Sequence, residues 1–192
     1  MEIRRIFTKK GEGRLWAVVC PSSKSEGKKS DVLTELFRQL TDTNYLLQFF
    51  TSNRKDLNAP IWNGISIDEA IDKVIEEVNH IEAELYAIEL KTPGYENRSL
   101  SEIFLPLHET HEFTINFRND RYRKGKPDFH KPMVRIYAIE LDDGTFVVSG
   151  GAIKLIKDMR NALLIKEKEK LDDLRDFLKK EDIYNFQGLT NL

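Results

Sequence analysis

This chain predicts an α+β fold, a small antiparallel β-sheet packed against helices. Three observations carry that prediction: a hairpin pattern over residues 133–157, a short strand pair at the amino terminus, and strong helical periodicities between and after them. The order is strand hairpin, helices, antiparallel strands, helix. A parallel sheet would show strict strand–helix alternation instead. At 192 residues the chain is long enough for one sizeable core. We read residues 1–192 as a single α+β domain with a helical insertion at 58–98.

Residues 2–7 and 14–20 have strand character and form a first hairpin through 8–13. Residues 21–29, rich in Ser, Lys and Gly, read as a loop. Ser30 is placed to cap a helix from Asp31, with Leu33, Leu36, Phe37 and Leu40 on its apolar face. Thr41, Asp42 and Thr43 offer a cap for a second helix carrying Leu46, Leu47, Phe49 and Phe50. Residues 57–64 turn at Pro60. Ser66 and Glu69 then stand at capping-box spacing before the longest apolar stripe: Ile67, Ala70, Ile71, Val74, Ile75, Val78, Ile81, Leu85 and Ile88. The other face of that helix is acidic. Residues 92–98 form a loop, 100–107 begin another connection or an edge strand ending near Pro106, and 113–118 form a strand alternating Phe113, Ile115 and Phe117. Residues 119–132 read as a basic loop, and 163–180 as a last amphipathic helix with Leu164, Leu171, Leu174, Phe177 and Leu178 inward.

The hairpin at 133–157 is the most informative stretch. Strand runs 134–141 and 145–149 flank Asp143-Gly144, a pair suited to a two-residue turn. That turn sets Glu140 opposite Val147, Tyr137 opposite Gly150 and Arg135 opposite Ala152. One face then carries Ile139, Leu141, Phe146 and Val148 near the turn, and Tyr137, Arg135 and Lys154 at the open end. A bulge at Gly150-Gly151 would shift this register. An apolar face that turns cationic is suited to an anion.

Charge is distributed unevenly around a net value of −2. Residues 1–30 hold eight Lys and Arg against three acids, and 115–135 hold Arg118, Arg121, Arg123, Lys124, Lys126, Lys131 and Arg135 against two. Residues 66–112 carry twelve carboxylates opposed by Lys73, Lys91 and Arg98. Such a chain has basic regions for a polyanion and an acidic region for solvent or a basic partner. No apolar run approaches the roughly 20 residues that span a bilayer, so no membrane association is expected. The amino terminus lacks the apolar stretch of a secretory signal, which makes the cytoplasm the expected compartment. Cys20 is the single cysteine, which excludes an internal disulfide or a cysteine zinc site.

His108-Glu109-Thr110-His111 lacks the two-residue gap of the zinc-protease motif, so no metal site is expected there. Gly150-Gly151 sits in no phosphate-binding fingerprint, and its expected role is close approach of a backbone, helix or ligand. In the basic loop, Tyr122, Phe129 and His130 lie among the cations. That mixture suits single-stranded RNA, where cations hold phosphates and rings stack on bases. Arg135 is the sharper candidate, because an arginine inside a strand is either edge-exposed or held by a partner. An ion pair with a carboxylate is the competing role.

Val134-Arg135-Ile136-Tyr137, followed by Val147-Val148-Ser149-Gly150-Gly151-Ala152-Ile153-Lys154, resembles the RelE/ParE superfamily of type II toxins, in particular its HigB-like branch. Paired helices at 31–55 and Leu105-Pro106-Leu107 fit the same order. The overlap covers about residues 100–160. Two departures stand out: the chain is longer and more acidic than such toxins, and their double lysine is replaced by Lys154-Leu155-Ile156-Lys157. The resemblance implies a RelE/ParE-like fold and a ribosome-dependent mRNA endoribonuclease, with a neighbouring gene encoding a small antitoxin and no cofactor. It implies Arg135 and Lys154 as stabilisers of the phosphorane-like transition state, and His130 or Tyr137 as aids to proton transfer. Arg118, Arg121, Arg123, Lys124, Lys126 and Lys157 are then RNA contacts. The alternatives are a non-catalytic ParE-like inhibitor of DNA gyrase, and a phage or mobile-element protein that keeps the fold for interaction alone.

Overall fold

A computed structural model describes residues 1–7, 13–25, 28–106, 122–125, 131–156 and 162–192. The chain opens with β1 (Ile3–Arg5), β2 (Leu15–Ser25) and β3 (Lys28–Asp31). Four helices follow: α1 (Val32–Leu40), α2 (Thr43–Ser52), the single turn α3 (Arg54–Leu57) and α4 (Ile67–Glu89). After a 3-10 turn at Leu100–Glu102 come β4 (Phe104–Pro106), β5 (Tyr122–Gly125), β6 (Val134–Glu140) and β7 (Phe146–Ile153). The helices α5 (Ala162–Lys180) and α6 (Phe186–Thr190) end the chain.

The class is α+β, but the sheet is neither small nor wholly antiparallel. Seven strands run in the order β1-β2-β7-β6-β5-β4, with β3 on β2. The β2–β7 pair is parallel, with Leu15, Trp16 and Ala17 against Phe146, Val147 and Val148. A parallel pair needs a long crossover, and here everything from α1 to β6 lies between the two strands. Helices α1, α2 and α4 share one apolar cluster with Leu15, Ala17, Ile136, Ala138, Phe146 and Val148. On the opposite face Trp16, Tyr137, Ile139, Leu141, Val147 and Ala152 pack under α5 and the C-terminal segment.

Three local expectations need correction. Residues 21–25 continue β2 and pair with β3, where a loop was expected. A two-stranded ribbon draws its ladder from backbone groups, so a polar sequence does not forbid it. The cap of α1 is Asp31, whose carboxylate accepts the Thr34 N–H at 2.8 Å, rather than Ser30. Tyr122–Gly125, expected inside a loop, is a strand between β4 and β6. The predicted capping box of α4 is present, with Ser66 and Glu69 exchanging hydrogen bonds. The strand expected at 113–118 lies outside the described residues.

The β6–β7 register departs from expectation twice, and the departures cancel. The connection is a three-residue loop, Asp142–Gly144, because the Leu141 N–H donates to the Thr145 carbonyl. Gly144 takes φ +76, the left-handed position such loops need. Glu140 therefore faces Phe146 instead of Val147, and Phe146 and Val148 lie on the face opposite Ile139. A bulge then falls at Ser149, between the Ala138↔Val148 and Tyr137↔Gly150 pairs. Beyond it the predicted pairs Tyr137↔Gly150 and Arg135↔Ala152 hold.

Two carboxylates of α4 tie strand starts to the helix. Glu77 is fully buried and accepts the Met133 N–H at 2.8 and 3.1 Å and the Val134 N–H at 2.8 Å, with Lys73 at 3.0 Å. Glu89 accepts the N–H groups of Arg14 and Leu15 at 3.2 and 3.1 Å. The Gly150-Gly151 pair lets helices approach both faces. A Cβ on Gly150 would overlap the Glu167 carboxylate of α5, and one on Gly151 would overlap Leu36 of α1 and stand 2.5 Å from the Arg135 carbonyl oxygen.

Two stability measurements follow. Glu77→Ala leaves two buried N–H groups without an acceptor and is expected to cost about 3 kcal/mol by urea unfolding, with Glu77→Gln losing less because one acceptor remains. Gly151→Ala drives a Cβ into backbone and is expected to cost about 3 kcal/mol. Gly144→Ala, with nothing within 4 Å of the new Cβ, should show only the left-handed penalty of roughly 1 kcal/mol. Equal losses at the two glycines would contradict this packing.

Candidate anion site on the sheet

The site is built from β6 and β7 outward. Arg135 and Tyr137 are two apart on β6 and so share a face, opposite Ala152 and Gly150 of β7. Lys154 continues that face: its N–H donates to the Met133 carbonyl at 2.8 Å, extending the ladder one step past Ile153. Next to it, the Leu155 carbonyl accepts the buried Trp62 indole N–H at 2.6 Å, which ties this end of the sheet to the segment before α4. On the other side of β6, Lys124 of β5 is the register partner of Tyr137. The same face of the sheet thus carries Lys124, Tyr137, Arg135 and Lys154, with Gly150 and Ala152 of β7 opposite Tyr137 and Arg135 and covered by α5.

Arg135, Tyr137 and Lys154 are each shifted by their surroundings. Burial lowers the Arg135 guanidinium from its ordinary value, against the opposing pull of Tyr137 and Glu77. Its Nη1 donates to the Val134 carbonyl at 2.7 Å. Lys154 is lowered by burial first and by the positive charge of Arg135 second. Tyr137 is 3% exposed, and burial pushes its phenol up to about 12. The two cations are close enough to disfavour each other's charge, and an anion bound between them relieves that repulsion. Among the described residues Arg135 forms no direct salt bridge, and the buried Glu77 carboxylate acts on it at longer range.

The residues singled out in the sequence divide accordingly. Arg135, Tyr137, Lys154 and Lys124 come together. Arg123 lies in β5 opposite Ala138. His130, Arg118, Arg121, Lys126 and Lys157 lie outside the described residues, as does the 108–111 motif. Among the described residues no group of three or more His, Cys, Asp or Glu side chains is arranged for a metal ion, and no helix is long and apolar enough to cross a membrane.

Sequence reasoning missed Glu167. This α5 carboxylate presses on Gly150, its Oε1 2.5 Å from the Lys170 ammonium. Burial raises its proton affinity, partly offset by Lys170 and then by the Gly151 N–H. The glycine pair was the available signal, since it announces that something approaches the sheet there. Compared with known proteins, the chain matches no family model, no curated sequence and no solved structure.

Tyr137 gives the site a pH signature. Its folded value lies above its ordinary 10.0, so the stability it contributes is complete below that pH and is lost as pH rises through about 12. Over that window the loss should be on the order of 2 kcal/mol for one proton. Denaturant unfolding of Tyr137→Phe between these pH values should show a shallower decline than the native protein. Parallel declines would mean that the phenol is not desolvated.

Proposed function

We propose that this protein is an RNA-cleaving toxin of the RelE/ParE type, a ribosome-dependent mRNA endoribonuclease neutralised by a small antitoxin. What supports the reading is one observation above the others: Arg135 and Lys154, the two positions the resemblance marks as catalytic, share a sheet face and are each partly withdrawn from solvent. The order of strand, paired helices and terminal hairpin adds to it, with β2, α1 and α2 preceding β5, β6 and β7.

The chemistry follows from charge. Attack by a ribose 2′-hydroxyl on the adjacent phosphate builds negative charge on the non-bridging oxygens as the 5′-oxygen departs. Cations held in a partly desolvated site stabilise that charge more than surface cations do. Arg135 supplies a planar fork of donors suited to phosphate oxygens, and Lys154 a point charge beside it. Lys124 extends the positive surface along the path of a strand. The basic residues at 118–131 are the proposed RNA contacts beyond the site, and the acidic face of α4 is left for solvent or the antitoxin.

Induced expression in a bacterial host tests the reading. Growth should stop with translated mRNAs cleaved, and Arg135→Ala, checked for folding by circular dichroism, should lower cleavage about 10²–10³-fold. Arrest with intact mRNA and damaged DNA would replace the nuclease by gyrase inhibition. Unimpaired growth with both proteins would remove the toxin reading altogether.

A further inference from the structure

We propose that the β2–β3 ribbon is an RNA-docking arm, which holds the phosphate backbone of a strand at the end of the sheet that carries Arg135 and Lys154. The inference rests on the RNA-cleaving reading and adds to it a surface outside the residues that carry the family resemblance.

Topology brings the ribbon to that end of the sheet. β2 runs parallel to β7, with Ala17 beside Val148, so both strands head toward the end where β7 reaches Lys154 and β6 begins. Past Ala17 the register with β7 stops, and β2 takes up β3 instead, with Val19 opposite Asp31 and Lys24 opposite Lys29. Counted along β2 to Val19 and then along β3 to Lys29, the Lys24–Lys29 pair stands about 13 Å past Ala17. Counted along β7 without the bulged residue, Lys154 stands about 17 Å past Val148. The two are nearly level. Helix α1 starts where β3 ends and sets Leu36 against Gly151, which holds the ribbon root beside this stretch of β7. Exposed Lys131, just ahead of β6, belongs to the same end.

The composition of the ribbon suits an anion rather than a core. Residues 21–25 and 28–30 contain Lys24, Lys28 and Lys29 among serines, with no branched aliphatic or aromatic residue. Like charges set directly opposite each other disfavour an antiparallel pair, as Lys24 and Lys29 do here. A phosphate between them replaces that repulsion by attraction. The carboxylates that meet the ribbon root are already held. Asp31, 2% exposed, receives Arg4, whose Nη1 also donates to the Lys29 carbonyl at 2.7 Å and braces the ribbon against β1. Glu35 is held by Arg38 and Ser30. Glu2 meets the Lys29 ammonium at 2.6 Å, but both side chains are more than half exposed, and such a pair yields readily to a phosphate. Without a ring to stack on a base, the ribbon contacts backbone alone and is indifferent to sequence.

The test uses the full chain and a fluorescein-labelled oligouridylate, read by fluorescence anisotropy over a salt series. The double variant Lys24→Gln/Lys29→Gln, its fold checked by thermal unfolding, should bind at least tenfold more weakly. Its slope of log affinity against log salt should be shallower by about 1.4, the share of two single-strand phosphate contacts. Adding Arg135→Ala should remove about 0.7 more, because one strand spans both places. Lys179→Gln/Lys180→Gln, at the opposite end where the Asp142 N–H meets the Tyr184 carbonyl, should leave affinity and slope unchanged. If the native protein binds the RNA and the ribbon variant keeps its affinity and slope, the ribbon is not the arm, while cleavage of translated mRNA would leave the nuclease reading standing. If the ribbon variant loses the RNA but the native protein cleaves no mRNA, the arm stands and the nuclease reading falls. No further fall with Arg135→Ala would overturn the shared path. Tighter ribbon-dependent binding of duplex DNA or of phosphatidylserine vesicles would overturn the assignment to RNA.

Discussion

The buried carboxylate of Glu77 is the contact on which the arrangement of this protein depends. It sits within the apolar stripe of α4 and accepts the first N–H groups of β6, while Lys73 of the same helix balances its charge. Backbone donors at the start of a buried strand need an acceptor, and desolvated N–H groups are costly to leave unmet. By meeting them, Glu77 fixes where β6 begins, and therefore which of its residues stand on which face. Glu89, three turns further along α4, does the same for β2. One helix thus sets the starting points of two strands on either side of β7.

The hairpin shows how local irregularity can serve a distant geometry. The three-residue connection moves the β7 residues nearest the turn by one position, which sends Phe146 and Val148 into the cluster with α1 and α4. The bulge at Ser149 moves the remainder back, so that Gly150, Ala152 and Lys154 face the same way as Tyr137 and Arg135. Without the bulge Lys154 would have turned to the face opposite Arg135, toward the apolar layer with α1 and α4. The paired glycines beside it let α5 settle on one face and α1 on the other, so the same few residues shape both the packing and the site.

Electrostatically the site is a frustrated one. Two cations share a partly desolvated face, and the Glu167 carboxylate is buried beside Lys170 and the Gly151 N–H. None of these favours the folded state by itself; the two apolar clusters on either side of the sheet carry them. Groups held at such cost cluster where proteins bind ions or move protons, which is the physical content of the functional reading.

Much of this protein was legible in the sequence, and the division follows the range of the forces involved. Capping by Asp42, Ser66 and Glu69, the α4 stripe and the Gly144 turn are written in residues a few positions apart, because helix periodicity and turn geometry are local. The shared face of Arg135, Tyr137 and Lys154 was also readable, although through a register that was right only because loop and bulge compensate. The parallel β2–β7 pair, the placement of β5 and the ribbon at β2–β3 were not, since backbone ladders join strands far apart in sequence and leave little mark on side-chain pattern. Glu77 and Glu167 are the clearest cases. In sequence they are two acids among many on charged helices, and only the packing of α4 and α5 against particular strand residues gives each its task. The sequence by itself determined the elements and the cationic strand face. The tertiary structure decided which carboxylates would meet them, because burial and hydrogen-bond supply depend on partners that only folding brings together.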